Sequence, residues 1–277
     1  MDEGKEKNMS EKETVIIDQK GDIAYLTINR PKQHNAMNMA FFNTLKESFI
    51  AFDEDTSVRV VVISGEGENF TSGLDLKEAM TAFNLDNTTS GREKMRAHIR
   101  DLQESLTWVE RCRKPVIAAA HGHCLGGGID LLSACDIRIA SKDVVFSIRE
   151  TKIAIVADVG TLQRLPHLIG HSWARELALT GRDFTAEEAL KMGFITRICP
   201  DKKSLLLEAD KLAEEIAGNA PLAVQGVKNV MNFSRDNGVF AGLEYVAQKN
   251  SAIVVSEDLM EAVGAFMEKR KPVFKGN

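Results

Sequence analysis

Strand-like and helix-like patterns are not mixed evenly along this chain: the β-branched apolar runs fall before residue 150, and nearly everything from Thr161 onward reads as helix. The runs TVIIDQ and IAYLTIN flank Lys20-Gly21-Asp22, which is a hairpin signature, so the chain opens with two antiparallel strands. Asn38 caps a helical segment reaching about residue 54. Residues 58–63 and 116–120 are continuous apolar runs of the kind buried on both faces of a sheet. Residues 135–140 and 144–148 are again strand-like, and the later helices are separated by Gly170, Gly181, Gly193, Pro200 and Pro221. Repeated strand-strand-helix units followed by helices argue an α/β chain with a wound core and a helical appendage. The expected organisation is a flexible tail over 1–12, a core over 13–200 and a helical region over 201–277.

Two stretches carry less regular patterning. Residues 66–92 include Gly65-Glu66-Gly67 at their start and an Asn/Thr/Ser-rich run, which predicts a mobile loop. A charged helix is expected over 93–111, ending before Pro115.

Composition removes several classes of function. Hydrophobic residues at 44% and charged residues at 27% allow a large core, and a net charge of -5 gives no global basic field for nucleic acid. No apolar stretch approaches the length of a membrane span, and the polar N-terminal residues do not read as a signal or transit peptide. Lys275-Gly276-Asn277 does not read as a peroxisomal address, so the expected setting is cytoplasmic. Cys112, Cys124, Cys135 and Cys199 lack CxxC spacing and are expected to be buried thiols. His167 and His171 are four apart, but Gly170 lies between them and no third ligand follows, so no metal site is expected.

The nucleotide-binding, zinc-protease and serine-hydrolase signatures are absent. What remains is Gly126-Gly127-Gly128 at a strand-to-helix turn, where exposed N–H groups can hold a developing negative charge; the alternative is close helix–strand packing. Asp130 follows in the first turn of the helix IDLLSA, either as a functional carboxylate or as a favourable charge at the helix start. Glu150 comes just after Arg149 and can be functional or paired with a nearby cation. Asp158 closes the apolar run 153–157, a costly place for a carboxylate unless it is used or caps the helix at Thr161. Three carboxylates beside a candidate oxyanion donor suggest proton transfer next to a carbonyl.

The segment HGHCLGGGIDLLSACDIRIAS over 121–141 resembles the signature of the crotonase, or enoyl-CoA hydratase/isomerase, superfamily. RPKQHNAMN at 30–38, FTSGLDL at 70–76 and TLQRLP at 161–166 resemble its other hallmark segments, and the likeness runs from about residue 13 onward. The resemblance implies a spiral of ββα units, C-terminal helices that support trimerisation, and an acyl-CoA whose thioester carbonyl sits between two N–H groups. By position these donors are Leu74 and Gly127. Lys32, Ala36, Ser72, Gly73, Asp75, Leu76 and Gly128 are the implied substrate- and CoA-binding positions, with Lys32 a phosphate neighbour or an ordinary solvated lysine.

Hydratases of the superfamily have glutamates where this chain has Asp130 and Glu150, and a glycine at Asp158. The chain departs from them at two of those three positions and is similar instead to the Δ3,5-Δ2,4-dienoyl-CoA isomerases. That likeness implies that Asp158 removes a C2 proton, Glu150 delivers one at C6, and Asp130 tunes the pocket, in fatty-acid β-oxidation. No cofactor or metal is implied, and a homotrimer or a dimer of trimers is expected. Competing readings are an enoyl-CoA hydratase, separable by product analysis, and a non-catalytic CoA- or RNA-binding scaffold.

Overall fold

The computed structural model describes residues 14–82 and 88–277. The expected tail over 1–12, and part of the expected loop over 66–92, lie outside the described residues. In chain order the core elements are β1 (Val15–Lys20), β2 (Ile23–Ile28), α1 (Met39–Glu54), β3 (Val60–Gly65), α2 (Leu76–Ala82), α3 (Thr89–Arg111), β4 (Val116–Ala120), β5 (His123–Leu125), α4 (Gly127–Ala134), β6 (Ile137–Ser141) and β7 (Val145–Ser147). They are followed by α5 (Thr161–Thr180), β8 (Asp183–Thr185), α6 (Ala186–Met192), β9 (Arg197–Cys199), α7 (Lys202–Ala217), α8 (Pro221–Asn237), α9 (Val239–Ile253) and α10 (Glu257–Glu268).

A six-stranded sheet runs β1-β2-β3-β4-β6-β9, antiparallel only at the β1–β2 hairpin, and a three-stranded sheet runs β5-β7-β8. Alternation along the strands sorts the larger sheet into two faces. Leu26, Val61, Ile63, Ala118 and Ala140 join the core beneath α1, α3 and α4, whereas Val60, Val62, Ile117 and Ile139 meet Leu205, Ala209 and Ala213 of α7. On α1, Phe41, Leu45, Phe49 and Phe52 recur at helical spacing and make the buried stripe, and the Asn38 side chain accepts from Phe41 N at 3.0 Å.

The structure departs from the expected elements at three places. Within 66–92, Asp75 accepts from Glu78 N at 3.3 Å to start α2, and Thr88 accepts from Gly91 N at 3.1 Å, which begins α3 four residues early. Beyond Thr161, β8 and β9 are strands of three residues, formed by pairing with β7 and β6 and too short to show a period. The helix at Thr161 is not capped by Asp158: its N-cap is Gly160, which has no side chain to offer.

α7 falls within the stretch 201–277, yet it packs on the sheet, and large exposed apolar side chains begin to accumulate with α8. α8 is tied to the core by Lys228, whose ammonium lies 2.7 Å from Asp136 and donates to the Lys114 carbonyl at 3.0 Å. Asp136 in turn accepts from Val116 N at 2.8 Å, at the start of β4. Lys228→Met leaves that carboxylate without its cation, so we expect a loss of roughly 3 kcal/mol in urea unfolding; a loss within experimental scatter would show the pair to be dispensable.

Candidate active site

The site is built where three segments cross. Met37 forms a bridge with Leu74, with Met37 N donating to Gly73 O at 2.8 Å and Asp75 N to Met37 O at 2.9 Å. Because N–H groups alternate sides along a strand, this register turns the Leu74 N–H away from Met37. Gly127 is the first residue of α4, a position whose N–H has no intrahelical acceptor. A Cβ built on Gly127 would lie 3.9 Å from Leu74 N and 2.5 Å from Met37 Cε. The two donors are therefore neighbours, and Gly127 can carry no side chain without displacing Met37.

The other glycines of the turn are equally constrained. Gly126 has φ of 52°, and its Cβ would come within 3.2 Å of Glu150 Oε1, so the turn and the Glu150 carboxyl face each other directly. A Cβ on Gly128 would meet Thr71 Cγ2 at 2.6 Å and Cys124 Sγ at 3.0 Å. The close packing considered from sequence is present, and it is what brings the Gly127 and Leu74 N–H groups near each other.

The RPKQHNAMN segment is folded by Asn35, fully buried with φ of 56°. Its side chain accepts from Arg30 N at 2.8 Å and donates to Glu66 O at 2.8 Å and Asn69 O at 2.7 Å. Thr71 Oγ1 donates to Asn35 O at 2.7 Å and accepts from Gly73 N at 3.1 Å, which joins this segment to FTSGLDL. Arg30 pairs with Asp75 at 2.9 Å. Sequence reasoning misses Arg30, Asn35 and Thr71 as positioning residues, although each lies in one of the hallmark segments.

Asp130 is 1% exposed, and its Oδ1 accepts from Thr161 N at 2.6 Å while Oδ2 has no hydrogen-bond partner among the described residues. The carboxylate on α4 thus holds the first N–H of α5 rather than serving its own helix. Burial pushes its pKa up to about 6, with the charge of Asp158 adding to the rise and the Thr161 hydrogen bond opposing it. Glu150 is not paired with Arg149, which binds Asp183 at 2.8 Å. Its Oε2 is buried without a hydrogen-bond partner among the described residues, and burial first, then the charges of Asp130 and Asp158, raise its pKa to about 7. Asp158 is half-buried and also raised by burial, with His98 acting in the opposite sense. The apolar run before it is largely exposed, Val156 at 69%, so its cost there is smaller than the sequence suggested.

Gln103 Nε2 donates to Asp158 O at 2.6 Å, and Arg164 binds Glu110 at 3.0 Å, so α3 and α5 hold the Asp158 loop between them. Among the described residues no three His, Cys, Asp or Glu side chains are grouped as metal ligands; the three carboxyls feel one another's charge without forming a chelate. Of the other implied binding positions, Ala36, Ser72 and Gly73 surround the Met37–Leu74 bridge, with Ser72 N donating to His34 O at 2.9 Å. Lys32 stands exposed on the short turn Pro31–Gln33, Leu76 is 43% exposed, and the Asp75 carboxylate is engaged by Arg30.

The chain belongs to the enoyl-CoA hydratase/isomerase family, whose sequence model matches residues 18–277. It is 45% identical over 256 residues to the peroxisomal Δ(3,5)-Δ(2,4)-dienoyl-CoA isomerase of Arabidopsis thaliana, covering 91% of this chain and 92% of that protein. The mitochondrial Δ(3,5)-Δ(2,4)-dienoyl-CoA isomerase of Dictyostelium discoideum is 42% identical, over 92% of this chain and 88% of the relative. Among solved structures, an enoyl-CoA hydratase from Bacillus anthracis superposes with a TM-score of 0.88 at 33% identity, covering 95% of this chain and all of that one. The expected spiral of ββα units with C-terminal helices is therefore the fold of this family. The cytoplasmic expectation is overturned, because these relatives are peroxisomal and mitochondrial proteins. Among the described residues no helix is long and apolar enough to cross a membrane.

Because the folded state holds the Asp130 proton to about pH 6, it binds more protons than the unfolded chain between that pH and the ordinary aspartate range, so this group's contribution to stability falls as pH rises through that window. Asp130→Asn keeps an acceptor for Thr161 N–H and removes the buried charge. In urea unfolding we expect the variant's stability relative to the parent to be more favourable at pH 8 than at pH 5; a pH-independent difference would mean that Asp130 does not titrate there.

Proposed function

We propose that this protein is a Δ3,5-Δ2,4-dienoyl-CoA isomerase, with Asp158 as the base at C2, Glu150 as the acid at C6, and Leu74 and Gly127 as the donors to the thioester oxygen. The observation that carries this reading is geometric: the glycine turn faces the Glu150 carboxyl at a place where its Oε2 is buried, and burial, aided by the charges of Asp130 and Asp158, lets Glu150 keep its proton up to about pH 7. A carboxyl held protonated beside the donor turn is what an acid acting on a thioester substrate requires.

The thioester oxygen accepts from the N–H groups of Leu74 and Gly127, which favours the enolate over the ground-state carbonyl. Asp158 takes a proton from C2, and the C–H electrons spread through the conjugated chain to C6 as a trienolate. Glu150 gives its proton to C6, the 3,5-diene becomes a 2,4-diene, and two carboxyl groups have exchanged protonation states. Asp130, buried and bonded to Thr161 N, keeps negative charge near Glu150 and so helps hold the proton there. Burial of the carboxyls limits water, which would otherwise add to the diene. Every step uses carboxyl and backbone groups of this chain. Relatives at 42–45% identity that carry this activity support the assignment.

Self-association belongs to the same proposal. Met231 at 67%, Phe240 at 90%, Leu243 at 58%, Val255 at 93% and Phe266 at 85% exposure are spread over α8 to α10, more apolar surface than an isolated chain ordinarily presents to water. A homotrimer, or two trimers joined, covers it. Acyl-CoA is the partner in catalysis, in fatty-acid β-oxidation.

The direct test is ultraviolet absorbance of the protein with a 3,5-dienoyl-CoA, where conjugation with the thioester carbonyl gives a red shift. A rapid shift supports the isomerase; hydration of a 2-enoyl-CoA without it moves the assignment to hydratase. Asp158→Asn is expected to lower kcat by about 10²–10⁴-fold with acyl-CoA affinity nearly unchanged. Glu150→Gln is expected to abolish deuterium delivery to C6 from heavy water, and normal labelling at normal rates would remove Glu150 from the mechanism.

The pH dependence follows from the same groups. Glu150 must be protonated, so kcat/KM is expected to fall as pH rises through about 7. Asp130→Asn removes a charge that raises Glu150, so the alkaline limb should move to lower pH. A limb that stays in place would show that Asp130 does not tune Glu150.

A further inference from the structure

Beyond C6, where Glu150 acts, the substrate still has to place the remainder of its acyl chain. A cavity of about 510 Å³ opens beside Glu150, between the loop that follows it and α5, and is lined also by Thr161, whose N–H binds Asp130. Its other walls are chiefly apolar, including Ile148, Val156, Leu162, Leu165 and Ala178. Leu165 is 1% exposed at the inner end, whereas Val156 at 69% and Leu179 at 77% stand at the surface, so the cavity leads from the site outward.

From this continuity we infer that the cavity between Glu150 and α5 receives the acyl chain distal to C6, and that Val156, Leu162 and Ala178 set the preference for medium and long unbranched chains. The inference rests on the isomerase reading for the position of C6, but the cavity's use by an acyl tail is separately measurable. An apolar wall rewards each methylene removed from water, by about fourfold in affinity per carbon. The open outer end means that chains longer than the cavity protrude and are not rejected. Affinity should therefore climb with chain length and then level off without a decline. The apolar loop run 153–157, which had no role in the proton transfer itself, acquires one as a wall of this channel.

The test uses saturated straight-chain acyl-CoAs from C4 to C14, which bind without reacting, titrated by calorimetry against the intact protein. Affinity is expected to be nearly flat to C6, to rise about fourfold per methylene beyond it, and then to reach a plateau. Ala178→Phe narrows the cavity, and Val156→Asp puts a charge at its mouth. Each should flatten the rise above C6 by more than tenfold at C12, with the C4 and C6 affinities unchanged. If either variant lowers affinity for all lengths equally, or if the parent shows no rise beyond C6, the acyl tail lies elsewhere and the inference is overturned. In parallel, 3,5-hexadienoyl-CoA and 3,5-dodecadienoyl-CoA are compared as substrates. A persistent chain-length rise in binding with no turnover of either would sink the isomerase and leave the channel standing; turnover of both with no chain-length effect would do the reverse.

Discussion

The hydrogen bond from Thr161 N–H to the buried Asp130 carboxylate joins the two helices on which the site depends. α4 begins at the glycine turn and carries the Gly127 donor, while α5 begins just after Asp158. A carboxylate left alone at 1% exposure would be strongly destabilising; bonded to the first N–H of a helix it is tolerated, at the cost of a raised pKa. One interaction thereby fixes the spacing between the donor turn and the Asp158 loop, and the Asp130 charge adds to the burial that raises the Glu150 pKa.

Around this joint the remaining contacts restrict movement. Asn35 and Thr71 tie two loops into the Met37–Leu74 bridge, and Gln103 and Arg164 hold the Asp158 loop between α3 and α5. The three carboxyls share a low-dielectric region without being close enough to chelate an ion.

The segments RPKQHNAMN, FTSGLDL and LGGGID are conspicuous in the sequence because each contains a turn that tolerates few residue types, and the packing around them explains that intolerance. A Cβ on Gly128 would clash with Thr71 and Cys124, one on Gly127 would displace the end of Met37, and Gly126 and Asn35 adopt positive φ. Asp158 stands out in the sequence for a local reason that the fold does not support, since the run before it is exposed and the helix after it is not capped by it. β8 and β9 are not legible as strands because three residues cannot display a period, and their strand character comes from their neighbours.

By itself the sequence determined the wound α/β class, the family and the glycine turn, because periodicity, motif order and glycine tolerance are properties that residue order carries directly. Only the tertiary structure decided that Asp130 binds Thr161 rather than its own helix, that Arg149 is taken by Asp183 and so leaves Glu150 free of a cation, and that an apolar channel begins at Glu150. These are relations among residues about 30 positions apart, set by packing and desolvation, and nothing in residue order alone encodes the distance between two side chains across a core.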